Sequence, residues 1–453
     1  MQRDTTSPEA ESDQPSPGDA SVTKAQEASS ETGSGESISA SVAEATMNRA
    51  GSARRQVGQA GSVASAKTRV VARTGAMKVP TPGDELEIRL ARMYFWNGAY
   101  SRHGVNLQRH FHPEPLLVTD LDLLALHLTP DLALSKVIGE AKTGTGKSAP
   151  KPLDRAIWVA GLKQLVRASG GVLVTVTKPS ARVRETAQAL GVRAFSVEDI
   201  ERWERAHLPP VLADVGAHGS GAFAAAQNAR IMAKGEPLLE RVYWFLRSEV
   251  WFLDSWQAAK RLIGALGELR GYWTPSIDDR LAAALRWMYA EVISVLTLHL
   301  VVLVGIYRSW DARDWSAFVK DRLAEGAVPA YSQRAMADAF DKYLAHVLGE
   351  LKASATVSVE TMGAFHPSPP DWAESFIELL GRLEASPSLH DLPRQTDLVI
   401  IERLVRRRHA SPESLVAVSG RDPEVFCRQR RLIAAFLRGC VELPEAVDKA
   451  LTA

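Results

Sequence analysis

Apolar residues show no period over roughly the first 76 positions of this 453-residue chain, and a helical spacing then sets in abruptly. Residues 1–77 are dominated by Ser, Ala, Gly, Thr, Gln and charge, and bury too little apolar surface to offset the entropy of ordering, so they are expected to be a disordered N-terminal arm. Structure is expected from Thr81-Pro82-Gly83-Asp84-Glu85, which has a Thr cap, Pro in the first turn and early acids. The helix runs through Leu86, Leu90, Met93 and Tyr94 and stops near Gly98. A strand is expected over Tyr100–Phe111, then two apolar-rich strands, Val118–Leu126 and Lys136–Lys142, joined through Thr129-Pro130-Asp131. Asp154–Ala168 reads as a helix, Gly171–Thr177 as a buried strand and Ala181–Leu190 as a helix. Val192–Val197 is a last strand and Glu198–Ala206 a closing helix. The order α-β-β-β-α-β-α-β-α predicts an α/β domain over residues 78–210, a mixed sheet flanked by helices.

Beyond Pro209-Pro210 the pattern changes. Residues 211–235 are rich in small residues and read as a linker; residues 236–453 read as an all-α domain with no fixed-period repeat. Trp244, Trp251, Trp256, Trp273, Trp287, Trp310 and Trp315 fall mostly at helical spacings and are expected in its core rather than on a base-stacking platform. Val292–Tyr307 has no Asp, Glu, Lys or Arg, with Glu291 before it and Arg308 after it. A membrane span needs about 20 apolar residues, and this run holds Ser294, Thr297 and His299. It is expected to be a buried core helix, and no membrane partner is expected.

The formal charge of +1 neither favours nor excludes nucleic acid, because it hides local segregation. Residues 1–46 hold nine acids against Arg3 and Lys24, while residues 47–78 carry seven basic residues and no acid. That basic stretch has the character of an electrostatic arm, though a solvated tail is the plainer reading. Cys427 and Cys440 are the only cysteines, so neither a disulfide framework nor a structural zinc site is indicated. A polar N-terminus without a signal pattern and a reducing environment together predict a cytoplasmic protein.

The chemistry concentrates on two strands. One reads Thr119-Asp120-Leu121-Asp122-Leu123-Leu124-Ala125, the other Val137-Ile138-Gly139-Glu140-Ala141-Lys142-Thr143. Side chains alternate along a strand, so Glu140 and Lys142 share a face, as do Asp120 and Asp122. If the strands are neighbours, carboxylates and an ammonium converge. Two carboxylates about 4 Å apart repel by about 4 kcal/mol at an effective dielectric near 20. A divalent cation would convert that repulsion into binding, and oxygen ligands suit Mg²⁺ or Mn²⁺. A salt-bridged hairpin would explain the alternation but not why charges interrupt otherwise apolar strands.

Asp122, followed after seventeen residues by Glu140-Ala141-Lys142, resembles the PD-(D/E)XK nuclease superfamily, and TDLDLLA…GEAKTG…DRAIWVAGLKQL resembles its restriction-endonuclease-like branch, which includes Mrr-like enzymes and Holliday-junction resolvases. The likeness covers residues 78–210. It implies a restriction-endonuclease-like fold and a Mg²⁺-dependent endonuclease acting on DNA, with RNA not excluded. By that resemblance Asp122 and Glu140 bind metal, with the Ala141 carbonyl as a further ligand, and Lys142 serves the attacking water. An acid of the first helix, Glu85 or Glu87, contributes, and Gln164 matches a glutamine that some branches carry. No proline precedes the aspartate, and Asp120 competes with Asp122, which is favoured because an apolar run follows it directly.

Two other patterns compete. Ala141 to Ser148 (AKTGTGKS) fits a loose phosphate-loop pattern and would make the chain a nucleotide hydrolase, but Ala149-Pro150-Lys151-Pro152 block a helix where such a loop requires one. Gly144, Gly146 and Lys147 are instead expected in a basic loop which, with Arg155 on the next helix, contacts nucleic-acid phosphate. Between Arg403 and Phe436, two helix starts flank Gly420 in a helix-turn-helix layout that would point Arg428, Arg430 and Arg431 at DNA; two surface helices of a bundle are the plainer reading. A non-catalytic scaffold with an inactive nuclease fold is the remaining alternative. The helical domain is expected to select substrate or a protein partner; oligomeric state is not legible.

Overall fold

The computed structural model describes residues 79–111, 114–144, 151–326, 330–354 and 368–452. The arm at 1–77 and Lys147 lie outside them. All described residues belong to one compact unit.

Helix α1 (Pro82–Trp96) begins as its sequence predicts. Thr81 Oγ1 accepts the Asp84 N–H at 3.2 Å while Asp84 Oδ2 accepts the Thr81 N–H at 2.8 Å, closing a capping box. Strand β1 (Ala99–Arg102) follows. The single strand expected over 100–111 is two, because Gly104, at φ +58°, turns the chain between β1 and β2 (Val105–Phe111). The strand expected over 118–126 is also two, β3 (Glu114–Leu121) and β4 (Leu123–Leu128), with Asp122 at the bend. β2 and β3 form their own antiparallel ribbon. The main sheet has the order β1-β4-β5-β6-β7, adding β5 (Leu134–Lys142), β6 (Gly170–Thr175) and β7 (Val192–Ser196). β1/β4 and β4/β5 are antiparallel, β5/β6 and β6/β7 parallel, so the sheet is mixed as expected. The parallel steps cross over through α2 (Pro152–Leu165) and α3 (Ala181–Ala189), and α4 (Val197–His207) follows β7.

Alternation along the strands divides the core. Leu123, Ala125, Val137, Val172 and Val174 pack with Leu86, Leu90 and Met93 of α1 and Ile200 of α4. Leu124, Leu126, Ile138 and Leu173 point the other way, into a cluster that takes in Ala156 and Val159 of α2 and runs on into the helices beyond residue 210.

Those helices are α5 (Ser220–Ala233), α6 (Pro237–Arg247), α7 (Ser255–Arg270), α8 (Asp279–Tyr307), α9 (Ala312–Ala324) and α10 (Ala330–Ser354), then α11 (Ala373–Glu384), α12 (Leu392–Ile400), α13 (Pro412–Ser419), α14 (Pro423–Val441) and α15 (Glu445–Thr452). The expected linker at 211–235 is therefore largely α5, which packs against α8 and buries Ala222, Phe223, Ala229 and Met232. Its small residues permit close helix approach rather than flexibility. Trp251, Trp256, Trp287 and Trp315 lie in the core. Helix α8 is long and apolar enough to cross a membrane, but 83% of its most apolar window is buried inside the fold. In the helix pair α13–α14, Arg430 is buried and its Nε donates to the Leu451 carbonyl at 3.3 Å, so it cannot face DNA as the helix-turn-helix layout required.

The sheet and the helical half are tied by a charge cluster that sequence reading missed. Arg102 of β1 is 4% exposed; its guanidinium donates to Glu291 of α8 at 3.0 Å, Asp397 of α12 at 2.5 Å and the Tyr100 hydroxyl at 2.7 Å. Nothing in the local sequence around these three positions links them; only the packing of α8 and α12 on β1 does.

Candidate metal and phosphate site

The site forms where β4 starts and β5 ends, beside the start of α1. β4 and β5 pair through Leu123 and Gly139, so the next residues of each, Asp122 before β4 and Glu140 within β5, are neighbours. Gly139 allows this close pairing: a Cβ there would fall 2.9 Å from Leu123 Cβ. The start of α1 comes down beside the end of β5, with Gly83 close to Thr143.

Asp122 and Glu140 are 2% and 4% exposed. Lys142 Nζ lies between them, 3.2 Å from Asp122 Oδ2 and 2.9 Å from Glu140 Oε1. Arg155, in the first turn of α2, sits 3.5 Å from Glu140 Oε1. The Ala141 N–H donates to Asp122 Oδ2 at 2.7 Å. The Lys142 carbonyl accepts from Val176 on the β6 side, and successive strand carbonyls alternate, so the Ala141 carbonyl faces the Asp122 side.

Burial pushes the Asp122 carboxyl up to about 6 against the opposing pull of Lys142 and the Ala141 N–H. Burial would lower Lys142, but Asp122 and Glu140 outweigh it and hold the ammonium above its ordinary value. Glu87 on α1 is pushed up to about 8, by burial first and then by the negative charges of Asp122, Asp84 and Asp120. The site thus gathers more negative charge than Lys142 and Arg155 neutralise comfortably.

The sequence-predicted residues separate clearly. Asp122, Glu140, Ala141, Lys142 and Arg155 are brought together. Asp120 is exposed on the β2–β3 ribbon opposite Asn106, so the choice between the two aspartates falls to Asp122 on burial and position. Glu85 is exposed and points away; Glu87, two residues later, is the α1 acid whose charge interacts with Asp122. Helical period decides this, because Glu87 lies between the buried Leu86 and Ile88. Gln164 is exposed in the last turn of α2, nine residues from Arg155, which is about 14 Å along a helix axis; the structure does not bring it to the site. The phosphate-loop pattern starts inside β5, and α2 begins at Pro152 rather than at Lys147, so the strand-loop-helix spacing that motif needs is not met.

Among the described residues, no three His, Cys, Asp or Glu side chains are gathered tightly enough to ligate an ion as they stand. The donor set nevertheless suits a hard divalent cation: Asp122, Glu140, the Ala141 carbonyl and Glu87 are all oxygen ligands, and the Lys142 ammonium already stands as a cation between the first two. No family model, curated protein or solved structure matches this chain.

Proposed function

We propose that residues 78–210 form a restriction-endonuclease-like domain that hydrolyses phosphodiester bonds, most naturally in DNA, with a divalent cation such as Mg²⁺ or Mn²⁺. The observation that carries this reading is the sharing of one amine by two buried carboxylates at a sheet end, with Glu87 from α1 adding a third acid. A surface salt bridge needs no burial and gains little from it. Asp122 and Glu87, both pushed toward protonation, make sense where a cation of higher charge is to be captured.

Asp122, Glu140 and the Ala141 carbonyl would hold the cation, with Glu87 completing the oxygen set; the ion would supply positive charge at the scissile phosphate and acidify water. The protein's own groups do the rest. Lys142, displaced from between the carboxylates, would orient the attacking water and offset charge building on the phosphate. Arg155, only one ion pair away, would meet a phosphate oxygen of the substrate strand. Water oxygen bonds to phosphorus, the phosphorus–oxygen bond to the leaving nucleotide breaks, and that oxygen takes up a proton.

Supercoiled plasmid incubated with the wild-type chain and Mg²⁺ or Mn²⁺ should be nicked or linearised, and EDTA should stop it. Asp122→Asn and Lys142→Ala should each lose about 100-fold or more in rate while keeping their fold. Equal cleavage by all three proteins would end the proposal.

A further inference from the structure

Away from that site, the helical half carries a groove lined by basic side chains, three of which make no ion pair among the described residues. The α12 helix does not stop at Ile400 but continues through a π-helical turn, Ile401–Val405. The chain then leaves the turn with Arg407 at φ +56°, the left-handed region that a long side chain rarely adopts. Widened turns and left-handed non-glycine residues recur where a backbone is held for a ligand. Here they bring Arg403 and Arg407 to a groove that Arg286 of α8 also lines. Together with His409 and with Lys449, which is paired with Glu445, these line a groove of about 480 Å³.

What distinguishes this cluster is its lack of partners. Glu402, beneath the turn, is already taken by Arg406 and Arg408. Among the described residues Arg286, Arg403 and Arg407 make no ion pair, and Arg403 Nε is buried without a hydrogen-bond acceptor. Burial and the charge of Arg407 hold Arg286 below the usual arginine value, with Asp279 a weaker opposing charge. Arg286 and Arg407 repel one another at the groove that Arg403 also lines, and a multiply charged anion would offset that repulsion.

We infer that the groove between Arg286, Arg403 and Arg407 is a phosphate-binding site, separate from the Asp122–Glu140 centre. Planar guanidiniums are suited to paired hydrogen bonds with phosphate oxygens. The phosphate can come from a nucleic-acid backbone or from a free nucleotide, and the two sources are told apart by the probe.

The test uses the full chain in EDTA, which stops metal-dependent cleavage of the probe during the measurement. Binding is measured by anisotropy with a fluorescent duplex of about 20 base pairs and, separately, with a fluorescent ATP analogue. At least one probe should bind. Arg286→Gln/Arg407→Gln should weaken that probe about tenfold or more, and so should Arg407→Glu, an exposed position whose reversal leaves the core intact. Arg241→Gln, an exposed arginine elsewhere in the helical half, should change binding less than about twofold. Loss of duplex binding assigns the site to nucleic acid, and loss of ATP binding assigns it to a nucleotide. Binding of both probes unchanged in Arg407→Glu, or binding of neither by wild type, overturns the inference. Because cleavage is not read, failure here leaves the nuclease proposal standing, and the reverse also holds.

Discussion

At neutral pH the Glu87 carboxyl is largely protonated, since burial and three nearby aspartates raise it from 4.5 to about 8. The folded chain therefore keeps a proton that the unfolded chain releases near pH 4.5, and stability from this group declines as pH rises from about 4.5 to about 8. Asp122 adds a decline of the same sign between about 3.8 and about 6. Glu87→Gln, which mimics the protonated acid, should melt like wild type at pH 5 in EDTA but a few degrees higher at pH 8.5. Melting curves that stay parallel across that range would remove the electrostatic account of Glu87. The same charges bear on the metal. Mn²⁺ should raise the melting temperature at pH 8 and much less at pH 5.5, because binding must displace protons. Asp122→Asn should abolish that rise; a rise that persists would place the ion elsewhere.

At the scale of elements, the site depends on how tightly β4 and β5 approach. The Gly139→Ala Cβ would press on Leu123 Cβ, so the strands must part immediately below Asp122 and Glu140. It should cost about 1–3 kcal/mol in denaturant unfolding and reduce cleavage further than the stability loss alone explains. Gly104→Ala tests a turn instead. Its left-handed φ disfavours any side chain, and the added Cβ would meet the Arg247 guanidinium at 2.8 Å. About 1 kcal/mol should be lost in denaturant unfolding. If Gly139→Ala leaves activity intact, strand spacing is not what positions the carboxylates.

For the whole molecule, the sheet and the helical half should unfold together. One hydrophobic core spans both, and Arg102 joins them through Glu291 and Asp397. Arg102→Met would leave two buried carboxylates unmatched, and should cost about 3–5 kcal/mol. Replacing all three charges with apolar residues of similar volume should cost much less. Tryptophan fluorescence, dominated by the helical half, and far-ultraviolet circular dichroism should report one transition. Two separated transitions would show that the halves are independent after all.

Reading the residues in order was enough to place α1 and its cap, the strand that carries Glu140 and Lys142, and the mostly helical character of the described residues past 236, because caps, turns and side-chain alternation are properties of neighbours in sequence. It misjudged the two strands that break at Gly104 and Asp122, since a bend inside an apolar run leaves no mark in its period. Small residues at 220–233 looked like a linker because their use, letting α5 close on α8, appears only once α8 is there. Glu87 over Glu85, Asp122 over Asp120 and the distance of Gln164 were matters of which way each side chain turned and where each helix lay. The Arg102 cluster and the arginine groove, with partners up to hundreds of residues apart, are decided by tertiary packing alone.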